Sequence, residues 1–489
     1  MGEFRFLIPK TWELDSYQVH SIHVVGLDGI PWPCRIASGT AENEARKIIS
    51  ISRNNDNSGK VYIHFPIPKF GEFLICTGTL PVREEPYELI VELARGTLNR
   101  LRNQLSIWQE GGLTISTSVF DLVKSSSHLL GKAILSPIDN EKDELATESI
   151  ALASEAIFSL SGEFGTQISE FRRNHSELSD FWMAASAKSL RDAERIEQLG
   201  VFELIQLGIS PDSDHSQFQS KTSNIATKAP SRIILGPWLD ASVGGMPEHL
   251  MVLDDFPVRR NHIVNELRQD LRNLPESTSL LHIVGGVNGI GHRHLSHSQQ
   301  IQLTADLLRQ VEESEADIPT MISFDFPWAE RLAGAVGGVH PLQIADSLLR
   351  QGLEISVLGL EINLDYWPNG STFLDPLQWI DLVDIWAQLG LPLVLILRVP
   401  ECDDDQLKGS TDRMVNSSPG KATSEQRIEF LKTVIPMMIA RPAVYGLVWA
   451  QADDHTDSRY PGAGIFQDHQ LKTGLKSLIK SVRSHIDGN

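Results

Sequence analysis

The sequence predicts an α/β protein built on a (β/α)8-type TIM barrel, one strand short of closure, preceded by a small β-rich domain and a helical segment. Three observations carry this. From Ser231 onward, short continuous apolar runs alternate with helical segments, the pattern of parallel strands covered on both faces. Polar and aromatic residues gather just after the runs, where barrels place their active face. The 489 residues, 41% hydrophobic and 22% charged, suffice for several folded units.

Residues 1–84 read as the β-rich unit. Ser21–Leu27, Lys47–Ser52, Val61–Phe65 and Phe73–Thr79 are rich in β-branched and aromatic residues, with Gly, Pro, Asn and Asp between them. Asn54–Gly59 reads as a hairpin loop, and the whole as a small sandwich, either a structural domain or a sugar-binding module. Residues 85–200 read as helical. Glu88–Gln109 carries Leu89, Leu93, Leu101, Leu105 and Trp108 at helical spacing, and Lys142–Arg195 is a second stretch rich in Ala, Glu and Ser. Arg95, Arg100 and Arg102 are expected on a solvated helix face. Ser210–Ser223 reads as a loop or insert.

Residues 201–489 read as the barrel. The expected strands lie within Arg232–Asp240, Ser279–Ile290, Thr320–Trp328, Ile355–Leu364, Pro392–Pro400 and Val444–Asp453, with Val201–Ile209 as a seventh. The expected helices between them are Gln299–Glu313, Pro341–Gln351, Leu377–Leu389 and Ser424–Ile439.

The net charge of −20 argues against nucleic-acid or anionic-membrane partners, which need basic surfaces. Three cysteines, Cys34, Cys76 and Cys402, make no disulfide framework and suit a reducing compartment. No signal-peptide pattern opens the sequence, so the expectation is a cytoplasmic protein. No cofactor motif stands out. Gly285–Gly291 has the glycines of a phosphate loop without a following Lys-Ser/Thr. His292, His294 and His297 lack a carboxylate at helical spacing, so no metal is expected there, and Asp403–Asp405 reads as a solvated loop.

The strand ends carry the candidate chemistry. They hold Trp238 and Asp240, then Asn288, then Asp325 and Trp328, then Glu361, Asn363, Asp365 and Trp367, and last Trp449, Gln451 and Asp453. Tryptophans beside carboxylates and amides suit a sugar site, since pyranose faces stack on aromatic rings and hydroxyls pair with polar groups. The same tryptophans also suit the core of a large fold. Asp325 and Glu361 end consecutive strands about 4.8 Å apart and are the candidate catalytic pair. Trp328, Trp367 and Trp449 are expected to line one cleft with Asp325, Glu361 and Asn363.

These residues resemble glycoside hydrolase family 10, the xylanase-like (β/α)8 enzymes, most closely its divergent bacterial relatives with an added N-terminal region. Gly359–Pro368 looks like that family's sixth strand, and Leu389-Gly390-Leu391-Pro392 like the approach to its seventh. Val448-Trp449 through Pro461, then Gly464–Asp468, look like its last strand and the following loop. The resemblance implies a β-linked oligosaccharide or polysaccharide as ligand and two catalytic glutamates. Those glutamates are not at the matching positions. The acid/base position falls on Gly286 or Gly289, depending on whether Asn288 is the family's asparagine, and the nucleophile position on Leu397. Two function classes therefore remain: a glycosidase with a rearranged carboxylate pair, or a non-catalytic barrel that binds glycan or scaffolds a partner.

Overall fold

The computed structural model describes residues 2–12, 19, 22–40, 46–208, 232–242, 245–246, 248–253, 255–289, 295–314, 317–330, 332, 338–366, 370–401, 422–454, 459–467 and 470–488. Ser210–Ser223, His292, His294, Trp367 and Asp403–Asp405 lie outside them.

Eight strands form the N-terminal unit: β1 (Gly2–Pro9), β2 (His23–Val25), β3 (Pro31–Trp32), β4 (Cys34–Thr40), β5 (Arg46–Arg53), β6 (Lys60–Ile67), β7 (Gly71–Cys76) and β8 (Tyr87–Glu88). They make two four-stranded sheets, β4-β5-β1-β8 and β3-β2-β6-β7. β1 buries Phe4, Phe6 and Ile8 at period two, as a one-faced strand must. Asn54–Gly59 is not a hairpin loop. It joins β5 to β6, which belong to different sheets, so the chain changes layer there.

Three helices follow: α1 (Leu89–Glu110), α2 (Thr117–Leu135) and α3 (Asp139–Asn174). Arg100 on α1 is not solvated. It makes two 2.7 Å hydrogen bonds to the Asp375 carboxylate.

The barrel begins inside the stretch read as helical. Its strands are β9 (Trp182–Ala187), β10 (Leu204–Leu207), β11 (Arg232–Leu235), β13 (Thr278–Gly285), β14 (Thr320–Asp325), β15 (Val357–Asn363), β16 (Leu393–Arg398) and β17 (Val444–Trp449), with the two-residue β12 (Leu239–Asp240) beside β13. All eight pair in parallel, β17 returns to β9, and β11 pairs with β13, so the barrel is closed. The eighth strand had been hidden in Trp-Met-Ala-Ala-Ser-Ala, a sequence with no β-branched residue that reads as helix. Around the barrel run α4 (Leu190–Leu199), α5 (Glu248–Met251), α6 (Phe256–Asp270), α7 (His297–Glu312), α8 (Pro341–Leu349), α9 (Pro376–Ala387), α10 (Ser424–Ile439) and α11 (Thr473–Asp487). The four expected barrel helices fall on α7 to α10 within about two residues. The polar α6, which buries Arg259 and Glu266 beside few apolar groups, gave no such signal.

The N-terminal unit docks on the barrel through β7 and α9. Leu74 donates its N–H to the Phe373 carbonyl at 2.8 Å, and Gln378 Nε2 returns a bond to the Leu74 carbonyl at 3.1 Å. Asp375 caps α9 by accepting from Gln378 N, and Arg100 holds the same carboxylate. On the other side α3 crosses α10 closely, because Gly165 presents no Cβ to the Pro436–Met437 backbone. Among the described residues no helix is long and apolar enough to cross a membrane.

The lumen has two layers. Ala184, Leu204, Ile234, Leu280, Met321, Val394, Ile396 and Val448 pack together as an apolar cluster inside the barrel. Strand alternation then brings polar residues inward above them: Gln206, His282, Ser323, Glu361 and Arg398.

Candidate functional site at the barrel mouth

Asp325 and Glu361 are register partners at the carboxyl ends of β14 and β15. Partners in a parallel pair share a face, so both side chains enter the lumen. Each carboxylate is gripped. Glu361 Oε1 accepts from the Ser323 hydroxyl at 2.6 Å, and Oε2 lies 3.1 Å from Arg398 Nη1. Asp325 Oδ1 accepts from the Phe326 N–H and from Asn363 Nδ2, each at 3.0 Å. Arg398 Nη1 also donates to Asn363 Oδ1 at 2.8 Å, and Asn363 Nδ2 reaches the Tyr460 hydroxyl at 3.2 Å. One amide and one guanidinium thus tie the two carboxylates into a single network.

Below it, Gln206 Nε2 meets His282 Nδ1 at 3.2 Å, and His282 Nε2 meets the Ser323 hydroxyl at 2.9 Å. With the Gln206 amide donating to Nδ1, the ring proton sits on Nε2 and points at Ser323. Burial pulls the His282 pKa down to about 4 against the opposing pull of Glu361 and Asp240, so the ring is neutral near pH 7.

On the far wall, Asp240 Oδ2 pairs with Arg459 Nη2 at 2.8 Å while Oδ1 takes the Ser242 N–H at 3.0 Å and the Ser242 hydroxyl. Burial works to raise this carboxyl, but Arg459, Ser242 and Arg398 outweigh it and hold Asp240 below the ordinary aspartate value. Both guanidiniums face the Tyr460 ring, Arg398 at 4.8 Å and Arg459 at 5.5 Å. Burial, then the nearby Asp325, push the Tyr460 phenol well up, so it stays protonated.

The structure therefore gathers Asp240, Asp325, Glu361 and Asn363 of the expected residues. Asn288 serves them from behind, its side-chain amide bonding both the Asp325 carbonyl (2.6 Å) and N–H (2.9 Å). The other expected residues lie elsewhere. Trp238 is 1% exposed and donates to Asp270 on α6 at 2.8 Å. Trp328 donates to the Gln378 carbonyl at 3.2 Å and meets Trp379 edge-on, rings 5.3 Å apart, against α9. Trp449 points away from the lumen into an apolar space walled by Phe202, Ile435, Leu478 and Val482. These three rings are packed between strands and helices, Trp238 and Trp449 buried and Trp328 half-buried against α9. Asp365 is likewise a buried ion pair, its Oδ2 2.8 Å from both Nε and Nη2 of Arg427. Gln451 braces its own loop by donating to the Asp453 and Asp454 carbonyls, and Asp453 faces Arg195 at 3.4 Å.

The positions at which the sequence resemblance would set two glutamates are close-packed at Gly286 and Gly289 and face away from the lumen at Leu397. A Cβ on Gly286, whose φ is +58°, meets Ser242 backbone at 2.9 Å, and one on Gly289 meets the Ala241 carbonyl at 2.7 Å. Leu397 points into the outer core, and its neighbour Arg398 is the residue that enters the lumen.

Sequence reading missed Gln206, His282, Ser323, Arg398, Arg459 and Tyr460. The first four had a signal: each is a polar residue inside or ending an otherwise apolar strand. Arg459 and Tyr460 come from a loop with no pattern to read.

No protein-family model matches the chain, and no curated protein matches it. Solved structures are similar to it in shape. Native xylanase 10B from Thermotoga maritima is 11% identical, over 66% of this chain and 99% of that chain, with a TM-score of 0.45. The GH10 xylanase of Thermobacillus composti is 12% identical, over 63% of this chain and 98% of that chain, with a TM-score of 0.44. A mutant of xylanase 10C from Cellvibrio japonicus, in complex with xylopentaose, is 8% identical, over 63% of this chain and 68% of that chain, with a TM-score of 0.46. The (β/α)8 barrel rests on this chain's own strand order, which closes without reference to them.

Proposed function

We propose that the barrel mouth binds a hydroxyl-rich ligand, a β-linked glycan, and does not hydrolyse it by the two-glutamate mechanism. One observation carries this: the adjacent Asp325 and Glu361 carboxylates are held by Ser323, Arg398, Asn363 and a backbone N–H. A glycosidase acid must give a proton to the leaving oxygen, and its partner must reach the anomeric carbon or a water. Both oxygens of Glu361 face donors instead. Gly286, Gly289 and Leu397 supply no replacement.

The ligand class follows from the lining. Carboxylates, guanidiniums, an amide and a phenol within one mouth pair well with vicinal hydroxyls, which both donate and accept. Three carboxylates (Asp240, Asp325, Glu361) outnumber two guanidiniums (Arg398, Arg459) among the described residues, which disfavours an anionic ligand. A second reading has its own support in the register of Asp325 with Glu361, the spacing a rearranged catalytic pair needs.

Calorimetric titration with xylopentaose and cellopentaose, beside hydrolysis assays on xylan and aryl glycosides, tests both. The expected result is saturable binding, weakened about tenfold or more in Arg398→Met, with no turnover. Turnover that disappears in Glu361→Gln and in Asp325→Asn establishes the rearranged enzyme instead. Absence of binding to either oligosaccharide at millimolar concentration removes the glycan.

A further inference from the structure

After β12 the chain forms the four-residue helix α5 and then α6. His249 stands on α5. His262 and Glu266 stand four residues apart on α6, which puts them on one face. Their polar atoms converge on a single oxygen. His262 Nε2 is 3.1 Å and His249 Nε2 4.0 Å from Glu266 Oε1, and one ligand atom from each residue lies within 4.8 Å of the others. The two imidazoles meet nearly at right angles, 85° apart, with ring centres 6.4 Å apart. The Glu266 side chain is 7% exposed, while His249 and His262 are 37% and 48% exposed, so the cluster has a buried carboxylate floor and a side open to water.

The donor set is that of a zinc-class ion. Imidazole nitrogens and a carboxylate oxygen bind such ions at about 2.0–2.2 Å in a tetrahedron, which sets neighbouring ligand atoms about 3.3 Å apart. The His262–Glu266 pair already has that separation. His249, exposed and on a short helix, has to close by about 0.7 Å on Glu266 and by no more than about 1.5 Å on His262, within the reach of a side-chain adjustment. Three protein ligands leave the fourth position to water. Hard ions such as magnesium are disfavoured by two nitrogen ligands.

We propose that His249, His262 and Glu266 form a binding site for a divalent transition metal of the zinc class, one that fastens α5 to α6. A four-residue helix cannot hold itself. Here its Leu250 is fully buried, and Arg259 Nε of α6 donates to the Leu253 carbonyl at 2.8 Å just beyond it. The metal adds a third tie to the same connection. That connection starts at Asp240 and Ser242, the partners of Arg459 at the mouth, so the ion steadies one wall of the mouth from outside without touching ligand. The site is independent of what the mouth binds.

The test uses the full chain, stripped with chelator, and titrates Zn2+ by calorimetry and Co2+ by visible absorption. The expected result is one tight equivalent with the intense Co2+ bands of four-coordination. Binding weakens about tenfold or more in each of His249→Ala, His262→Ala and Glu266→Gln. Zinc raises the melting midpoint of the parent and not of these variants, whose metal-free midpoints match the parent's. His128→Ala, His485→Ala and the double change His292→Ala with His294→Ala keep the site. If the parent and the His249→Ala, His262→Ala double variant bind alike, or if the His292, His294 change is the one that abolishes binding, the assignment is overturned.

Discussion

Two carboxylate–guanidinium pairs, whose carboxylates stand four residues apart in sequence, are built to different ends. Asp365 and Arg427 are each 1% exposed as side chains and form a two-pronged contact at 2.8 Å. Asp365 lies past the end of β15 with φ +66°, donates its N–H to the Ser371 carbonyl, and anchors that turn to α10. Glu361 and Arg398 are 5% and 13% exposed, lie inside the lumen, and share their remaining hydrogen-bonding capacity with Ser323 and Asn363. The difference shows what separates a site from a strut. Both pairs are charged, and both follow from the same strand. Only the second is placed by inward parity on neighbouring strands, so that several groups converge where a ligand has access.

The largest expected effect breaks the strut. Arg427→Met leaves Asp365 buried without the guanidinium, and losing one partner of a fully buried pair costs about 3–5 kcal/mol. Denaturant unfolding measures it. The fraction still folded is expected to bind oligosaccharide like the parent. A loss of affinity with little loss of stability would make Asp365 a site residue after all and collapse the distinction.

That distinction also marks how far the sequence could be read. The strands β11 and β13 to β17 were legible because two-sided burial makes continuous apolar runs. β9 was not, since its Ala and Ser residues carry no strand preference. Asp325, Glu361 and Asn363 were found by their place at strand ends. Asp365 was chosen by the same rule and fails it, because two residues past Asn363 the chain has already turned out of the lumen. Trp449 had the right neighbours and the wrong parity: it alternates outward while Val448 and Ala450 face in. The resemblance set its nucleophile position on Leu397, which faces outward, while the neighbouring Arg398 enters the lumen. Period-two parity within a strand sorts Trp449, Leu397 and Arg398 correctly.

The second expected effect concerns the polar layer under Glu361. His282 has an ordinary pKa of 6.5 when unfolded and about 4 when folded, burial being the main cause. Between those values the unfolded chain binds a proton that the native ring refuses. Stability is therefore complete above about pH 6.5 and falls as the pH drops toward 4, by about 3 kcal/mol for this ring. His340, pulled to about 4 chiefly by burial, acts in the same window, because its Nδ1 accepts the Leu342 N–H that caps α8 and cannot do so once protonated. Unfolding free energies measured from pH 7.5 to 4 are expected to fall less steeply in His282→Gln. An unchanged slope would mean that the ring is not the neutral link between Gln206 and Ser323.

Third is the mouth pair itself. Glu361→Gln keeps the size of the side chain and the acceptor for Ser323 but removes the charge facing Arg398. Arg398 retains Asn363 and the Tyr460 ring, so the expected loss is about 1–3 kcal/mol, smaller than for Arg427→Met. A double-mutant cycle with Arg398→Met isolates the coupling. Coupling as large as that of Asp365 with Arg427, with unchanged ligand affinity, would make this pair a strut too.

The smallest expected effect on stability lies at the rim. Asp240 and Arg459 are 26% and 24% exposed as side chains, so water and salt screen their attraction, and a pair of this kind is worth about 0.2–1 kcal/mol. Arg459→Gln should therefore barely move the unfolding midpoint. It removes the charge that holds the Asp240 carboxyl below its ordinary value, and it frees the Ser242 hydroxyl, which now accepts from Arg459 Nη1 at 2.8 Å. If the rim is part of the ligand site, affinity falls while stability stays. Binding should also become more sensitive to acid, because Asp240 then protonates at a higher pH. Oligosaccharide titrations at pH 7 and pH 5, at low and high salt, read both changes. Affinity that is identical in parent and variant under all four conditions would confine the site to Asp325, Glu361, Asn363 and Arg398, and would leave Asp240 and Arg459 as a clasp between the β12 connection and the loop after β17.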